Sequence, residues 1–183
     1  IKHAKIPSFI KRIESFAFEN CYALKTVEFT EDSQLEQIGI CAFCFSALET
    51  ISIPQHVARI EFKSFFQCSE LKKVEFKENS DLISIDESSF AESAIEQLFI
   101  PINVIKLGFR SFAVCKNLKK VEFAKNSKMT SIGKSSFSHS AIKTVTIPTR
   151  TTEICEFAFN DCKNLQKVEI AKNSKMTSIG KSS

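Results

Sequence analysis

The dipeptide Ile-Pro occurs at Ile6-Pro7, Ile53-Pro54, Ile100-Pro101 and Ile147-Pro148, each 47 residues after the last. A fixed period of that length restricts the chain to folds built by stacking like units. Each period divides in two. A small residue followed by Phe recurs at Ala17-Phe18, Ala42-Phe43, Ser64-Phe65, Ser89-Phe90, Ser111-Phe112, Ser136-Phe137 and Ala158-Phe159, with spacings that alternate between 25 and 22 residues. Three residues after each Phe stands a Cys or a Ser, followed by an apolar run of the form L-x-x-V-x-F. These runs are Leu24-Val27-Phe29, Leu48-Ile51-Ile53, Leu71-Val74-Phe76, Ile95-Leu98-Ile100, Leu118-Val121-Phe123, Ile142-Val145-Ile147 and Leu165-Val168-Ile170, preceded by a degenerate Ile1-Ala4-Ile6. The last two apolar positions of each run are one residue apart, the period of a strand with one side buried.

Coils of 23 or 24 residues fall within the leucine-rich-repeat range, where a unit buries its apolar side only against its neighbours. The expected fold is an α/β repeat solenoid over residues 1–183: a right-handed coil of seven to eight turns with a parallel sheet on the concave face. The I-x-x-x-A-F element, for example Ile13 to Phe18, is expected to form a short helical or 3₁₀ piece on the convex face, its Phe entering the core. Asp32, Asn79, Asn126 and Asn173 follow alternate strands, where their side chains are expected to satisfy backbone groups at the turn. The other strands end in Pro, which lacks a donor and turns the chain out of the sheet. The chain begins and stops mid-pattern, as an excised piece of a longer array would, and its cut ends are expected to self-associate end to end.

The unit Ile38-Gly39, Ala42-Phe43, Ser46, Leu48-Ile51-Ile53-Pro54 resembles the I-G-x-x-A-F-x-x-C-x-x-L-x-x-V-x-I-P unit of the BspA-like, or treponemal-type, leucine-rich repeats. The resemblance extends over essentially the whole chain; it departs in the Ser that replaces Cys in every second coil and in the frequent loss of Gly before the A-F pair. It implies a surface-exposed or secreted module that adheres to host protein, extracellular matrix or glycan. A competing reading is an intracellular scaffold or a structural spacer.

Catalysis and cofactors find no support in the residues. Cys21, Cys68, Cys115 and Cys162 share one repeat position two coils apart, about 9 to 10 Å at the spacing of parallel strands, beyond the reach of a disulfide. They read as small buried thiols packing the turn. Cys41 and Cys44 form a lone C-x-x-C without the second pair a zinc site needs. Ile132-Gly133-Lys134-Ser135 ends like a phosphate-binding loop, but Lys128 stands where that loop requires a Gly. His3, His56 and His139 lie at unrelated repeat positions, with no fixed Ser, Cys or carboxylate partner that would make a nucleophilic triad. The 25 basic and 21 acidic residues form no basic run or arginine-rich arm, so nucleic acid is not an expected partner. No stretch of 18 apolar residues is present for membrane insertion.

A ligand is expected on the outward side chains of the sheet. Glu28, Glu75, Glu122 and Glu169 form a column on alternate strands, with Thr26, Lys73, Lys120 and Lys167 two residues earlier, so most of these charges can be matched locally. The intervening strands place Phe99 and Thr146 in the Glu column and Gln97 and Thr144 beside the Lys column. Phe99, a large apolar ring among polar neighbours, is the residue expected to anchor a partner. Residues 124–136 recur unchanged at 171–183, the mark of an array whose length varies and whose weak contacts add.

Overall fold

The structure, a computed structural model, describes residues 1–77 and 79–183. The chain winds through β1 (His3–Ile6), β2 (Arg12–Ile13), β3 (Thr26–Phe29), β4 (Gln37–Ile38), β5 (Thr50–Ile53), β6 (Arg59–Ile60), β7 (Lys73–Phe76) and β8 (Ser84–Ile85). It continues through β9 (Gln97–Ile100), β10 (Lys106–Leu107), β11 (Lys120–Phe123), β12 (Ser131–Ile132), β13 (Thr144–Ile147), β14 (Glu153–Ile154), β15 (Lys167–Ile170) and β16 (Ser178–Ile179). The four-residue strands form one parallel sheet in chain order and the two-residue strands a second. Each coil thus contributes one long and one short strand. All eight apolar runs read from the sequence coincide with long strands, each strand starting two residues after the first apolar residue of its run. Alternation then decides which side is buried: in β5, Ile51 and Ile53 are buried while Thr50 and Ser52 are exposed.

The expected helical or 3₁₀ pieces on the far side of each coil are corrected by the structure: no described residue is helical. The segment around each A-F pair is bracketed instead by residues in the left-handed region, such as Ser88 (φ 53°) and Glu92 (φ 61°), or Arg110 (φ 53°) and Val114 (φ 60°). A left-handed residue at every fourth position cannot continue a right-handed helix. The backbone groups find another solution. The N–H groups of Ser88, Phe90 and Glu92 donate to Phe109, Ser111 and Ala113 of the next coil at 2.8–2.9 Å, while those of Ser89, Ala91 and Ser93 donate three residues back. Alternate N–H groups therefore tie each coil to its neighbour. This arrangement needs the neighbouring coil, so local periodicity does not reveal it.

Val114 is the β-branched residue among these left-handed positions, where such a side chain is most strained. Val114→Asn is expected to stabilise the fold by about 1 kcal/mol, read as a higher urea midpoint with an unchanged m value.

The core is a line of phenylalanines. Phe18, Phe43, Phe65, Phe90, Phe112, Phe137 and Phe159 stack one per coil with ring centroids 4.9–5.5 Å apart and planes within 10° of parallel. Alongside runs an alternating Cys and Ser column. The Cys68 thiol donates to the Phe43 carbonyl at 3.0 Å and meets Ser46 Oγ at 3.4 Å, and Cys115 repeats both contacts with Phe90 and Ser93. Burial pushes both thiols up to about 11, so at neutral pH they remain protonated donors. Burial likewise raises Cys44, whose thiol donates to the Lys63 carbonyl at 3.0 Å.

The turn after each alternate strand holds a second correction. The backbone is satisfied by Ser33, Ser80, Ser127 and Ser174, whose hydroxyls accept the N–H groups of Leu35, Leu82, Met129 and Met176 at 3.1–3.3 Å. The Asn or Asp one residue earlier is not the acceptor for these N–H groups, although the Asp32 carboxyl, held below its usual range by the Thr30 hydroxyl and by its own backbone N–H, satisfies a backbone group as expected. Asn126 instead takes a left-handed φ of 60°, which its short polar side chain tolerates.

Candidate partner-binding face

The long-strand sheet is not uniformly closed. Each strand that ends in Ile-Pro pairs with its successor over four residues, as in Gln97↔Lys120 through Ile100↔Phe123. At the other junctions only the first residues are matched: Thr26↔Thr50, Lys73↔Gln97 and Lys120↔Thr144. The difference follows the sequence, since the short junctions are those whose second strand ends in Pro. Beyond the four-residue ladder, the N–H of Ala124 donates to the Ile100 carbonyl and extends the pairing. At the alternate junctions the equivalent donor would be Pro54, Pro101 or Pro148, and proline has none to give.

Three clefts lie at these junctions, between β3 and β5, β7 and β9, and β11 and β13, with volumes of about 660, 450 and 640 Å³. Phe29, Phe76 and Phe123 are half-buried along them, whereas their counterparts Ile53, Ile100 and Ile147 are fully buried.

The residues expected at a site lie on this face in two columns. Register places Gln97 beside Lys120, Phe99 beside Glu122, Thr144 beside Lys167 and Thr146 beside Glu169. The charges are matched within each strand: Lys73–Glu75 at 2.5 Å, Lys120–Glu122 at 2.8 Å and Lys167–Glu169 at 2.5 Å. The Lys167 ammonium and the Thr146 hydroxyl, which donates to Glu169 at 3.1 Å, hold the Glu169 carboxyl below its usual range. Glu28 lies 3.7 Å from the His3 ring. These pairs are solvent-exposed and add little stability, but they leave the face close to neutral. Phe99 is 44% exposed and lines the middle cleft with Gln97, Lys73, Glu75, Lys120 and Glu122. Sequence reasoning found the columns and missed the clefts, although the 47-residue Ile-Pro spacing carries their signal.

Two stacked parallel sheets, a buried aromatic line and an outward face of regularly spaced polar side chains define a leucine-rich repeat solenoid, a fold that generally serves as a protein-interaction module. The BspA type leucine rich repeat region matches in six copies over residues 1–106 and 83–183, and the chain belongs to that family. Among solved structures it is similar to the pneumococcal vaccine antigen PcpA, with 29% identity, a TM-score of 0.76, and coverage of 98% of this chain and 47% of that one. The chain therefore spans about half of the length of that antigen. A T. pallidum leucine rich repeat protein (19% identity, TM-score 0.66, 98% and 73% covered) and a Bacteroides ovatus leucine-rich repeat protein (20%, 0.64, 99% and 63%) share the fold. No match was found among curated proteins. No described helix is long and apolar enough to cross a membrane.

Proposed function

We propose that this chain is a non-catalytic adhesion module of a cell-surface or secreted protein, binding a host protein, matrix component or glycan through the concave side of its long-strand sheet. The observation that carries the reading is the exposed Phe99 ring at a cleft whose neighbouring charges already neutralise one another. A partner can cover such a surface without stranding a charge, and the ring supplies apolar area at its centre. Likeness to a pneumococcal antigen over almost the whole chain supports a surface location.

The test is binding of the folded chain to a panel of extracellular-matrix proteins and host-cell surfaces. Phe99→Ser is expected to weaken the interaction about tenfold, the effect of losing about 1.4 kcal/mol at an interface centre. The double variant Glu75→Lys, Glu122→Lys is expected to abolish it by turning two neutral strands cationic. Saturable binding unchanged in both variants would remove the sheet face from the site, and absence of binding by the folded chain would favour a scaffold or spacer.

A further inference from the structure

We propose that the turn edge beside the long-strand sheet, in the last three coils, binds a sulfated glycan chain through Lys125, Lys128, Arg150, Lys172 and Lys175. The turn edge adjoins the outward face of the sheet, since Arg150 and Asn126 line the cleft between β11 and β13 with Glu122 and Thr146, but the proposal does not rest on the function proposed for that face.

Every coil leaves the long strand through a tight turn. The Ser127 N–H donates to Ala124, Thr151 to Pro148 and Ser174 to Ala171 at 2.9–3.0 Å, so the intervening side chains stand at the tips. Successive turns are tied in line, because the N–H of Lys128 donates to Ile102 and that of Lys175 to Thr149, both at 2.9 Å. All five cations are exposed, and among the described residues none of them forms an ion pair. Lysines elsewhere do find carboxylates, for example Lys25 with Glu49 and Lys134 with Glu156 at 2.7 and 2.9 Å. Lys128 Nζ donates to Asn103 Oδ1 at 2.8 Å, a neutral partner that leaves its charge unmatched.

The charge along this edge changes sign. The repeat positions of Lys125 and Lys128 are held by Glu31 and Gln34 in the turn after β3, and that of Lys128 by Asp81 in the turn after β7. The unchanged segment at 124–136 and 171–183 therefore doubles a basic turn that the earlier coils lack. Like turns lie two strand spacings apart, about 9–10 Å, close to the screening length at physiological salt, so their fields overlap. A flexible anion is attracted to the basic end and repelled by the acidic one.

The chemistry of the ligand follows from what lies between the cations. Asn126, Thr149 and Asn173 present neutral polar groups, and the tips of these three turns carry no aromatic ring. Bases thus have no stacking platform, and cations at this spacing are sparse against a duplex that carries one charge per about 1.7 Å. A polymer whose anionic groups are separated by hydroxyl-bearing rings matches the alternation of cation and neutral donor.

The test is titration of the protein, at about 0.15 M salt, with a heparin octasaccharide, its fully desulfated counterpart and a short DNA duplex. The triple variant Lys125→Ser, Lys128→Ser, Arg150→Ser is compared with Lys2→Ser, Lys11→Ser, Lys106→Ser, which removes the same charge elsewhere, after circular dichroism shows both folded. Saturable heparin binding is expected, with little or none for the desulfated sugar. The turn-edge variant should lose about tenfold or more in affinity and show a shallower salt dependence, while the control should stay near wild type. The Phe99→Ser variant, which alters the middle cleft of the sheet face without changing the charge, should retain heparin binding, which separates this edge from the Phe99 site. No saturable binding, equal loss in both triple variants, indifference to sulfation, or tighter binding of the duplex than of heparin would each overturn the proposal.

Discussion

Phe90→Ala is expected to split the unfolding of this protein into two transitions. Phe90 is fully buried and stacks on Phe65 and Phe112 at centroid distances of 4.9 and 5.2 Å. Truncating a buried Phe costs about 3–5 kcal/mol. In a repeat protein that loss is concentrated at interfaces between nearest neighbours, because each coil is stabilised chiefly by the coils on either side. With the aromatic line cut at the fourth of seven rings, the coils before and after Phe90 lose part of their coupling and should melt separately. Far-ultraviolet circular dichroism in urea would show a biphasic curve for Phe90→Ala. Phe159→Ala should give one transition and a smaller shift, since Phe159 is 6% exposed and, among the described residues, stacks on Phe137 alone. A single transition for Phe90→Ala with less than about 1 kcal/mol of destabilisation would show that the aromatic line does not couple the coils.

Gly133→Ala is expected to destabilise the fold by about 3 kcal/mol through overpacking. A methyl group at Gly133 would lie 2.1 Å from the Leu107 carbonyl oxygen and 2.9 Å from that of Gly108. Both obstacles are backbone of the preceding coil, so relief requires moving one coil against the other. That displacement would strain the neighbouring stack of Phe112 on Phe137, 5.5 Å apart. Gly39→Ala, whose methyl group would come no nearer than 2.8 Å to the Ser15 backbone nitrogen, should cost less. Equal urea midpoints for Gly133→Ala and the parent would mean that the coils slide freely at this corner.

The candidate face was partly legible in the sequence. The Glu and Lys columns follow from the two-residue period of a strand combined with the 47-residue repeat, and the structure places Phe99 beside Glu122 as that combination requires. The clefts needed more. Along the sequence proline marks the end of a strand; that it also lacks an N–H for the preceding strand matters only once the two strands are side by side. The basic turn edge was likewise hidden: Lys125, Lys128, Arg150, Lys172 and Lys175 are dispersed along the chain and form no run, yet stacking brings them to one edge.

The sequence by itself determined the number of long strands, the side each one buries, the phenylalanine of every coil and the repeating unit, because these are set by the spacing of apolar residues and by the need of each coil to bury one side against the next. It did not determine the conformation of the A-F segment. Its local pattern suits a short helix, and only the neighbouring coil, by accepting alternate backbone N–H groups, makes the left-handed turns at Ser88 and Glu92, or at Arg110 and Val114, the lower free-energy choice. Tertiary structure likewise decided where the sheet opens and where the cations gather, since both depend on groups that meet only when one coil lies upon another.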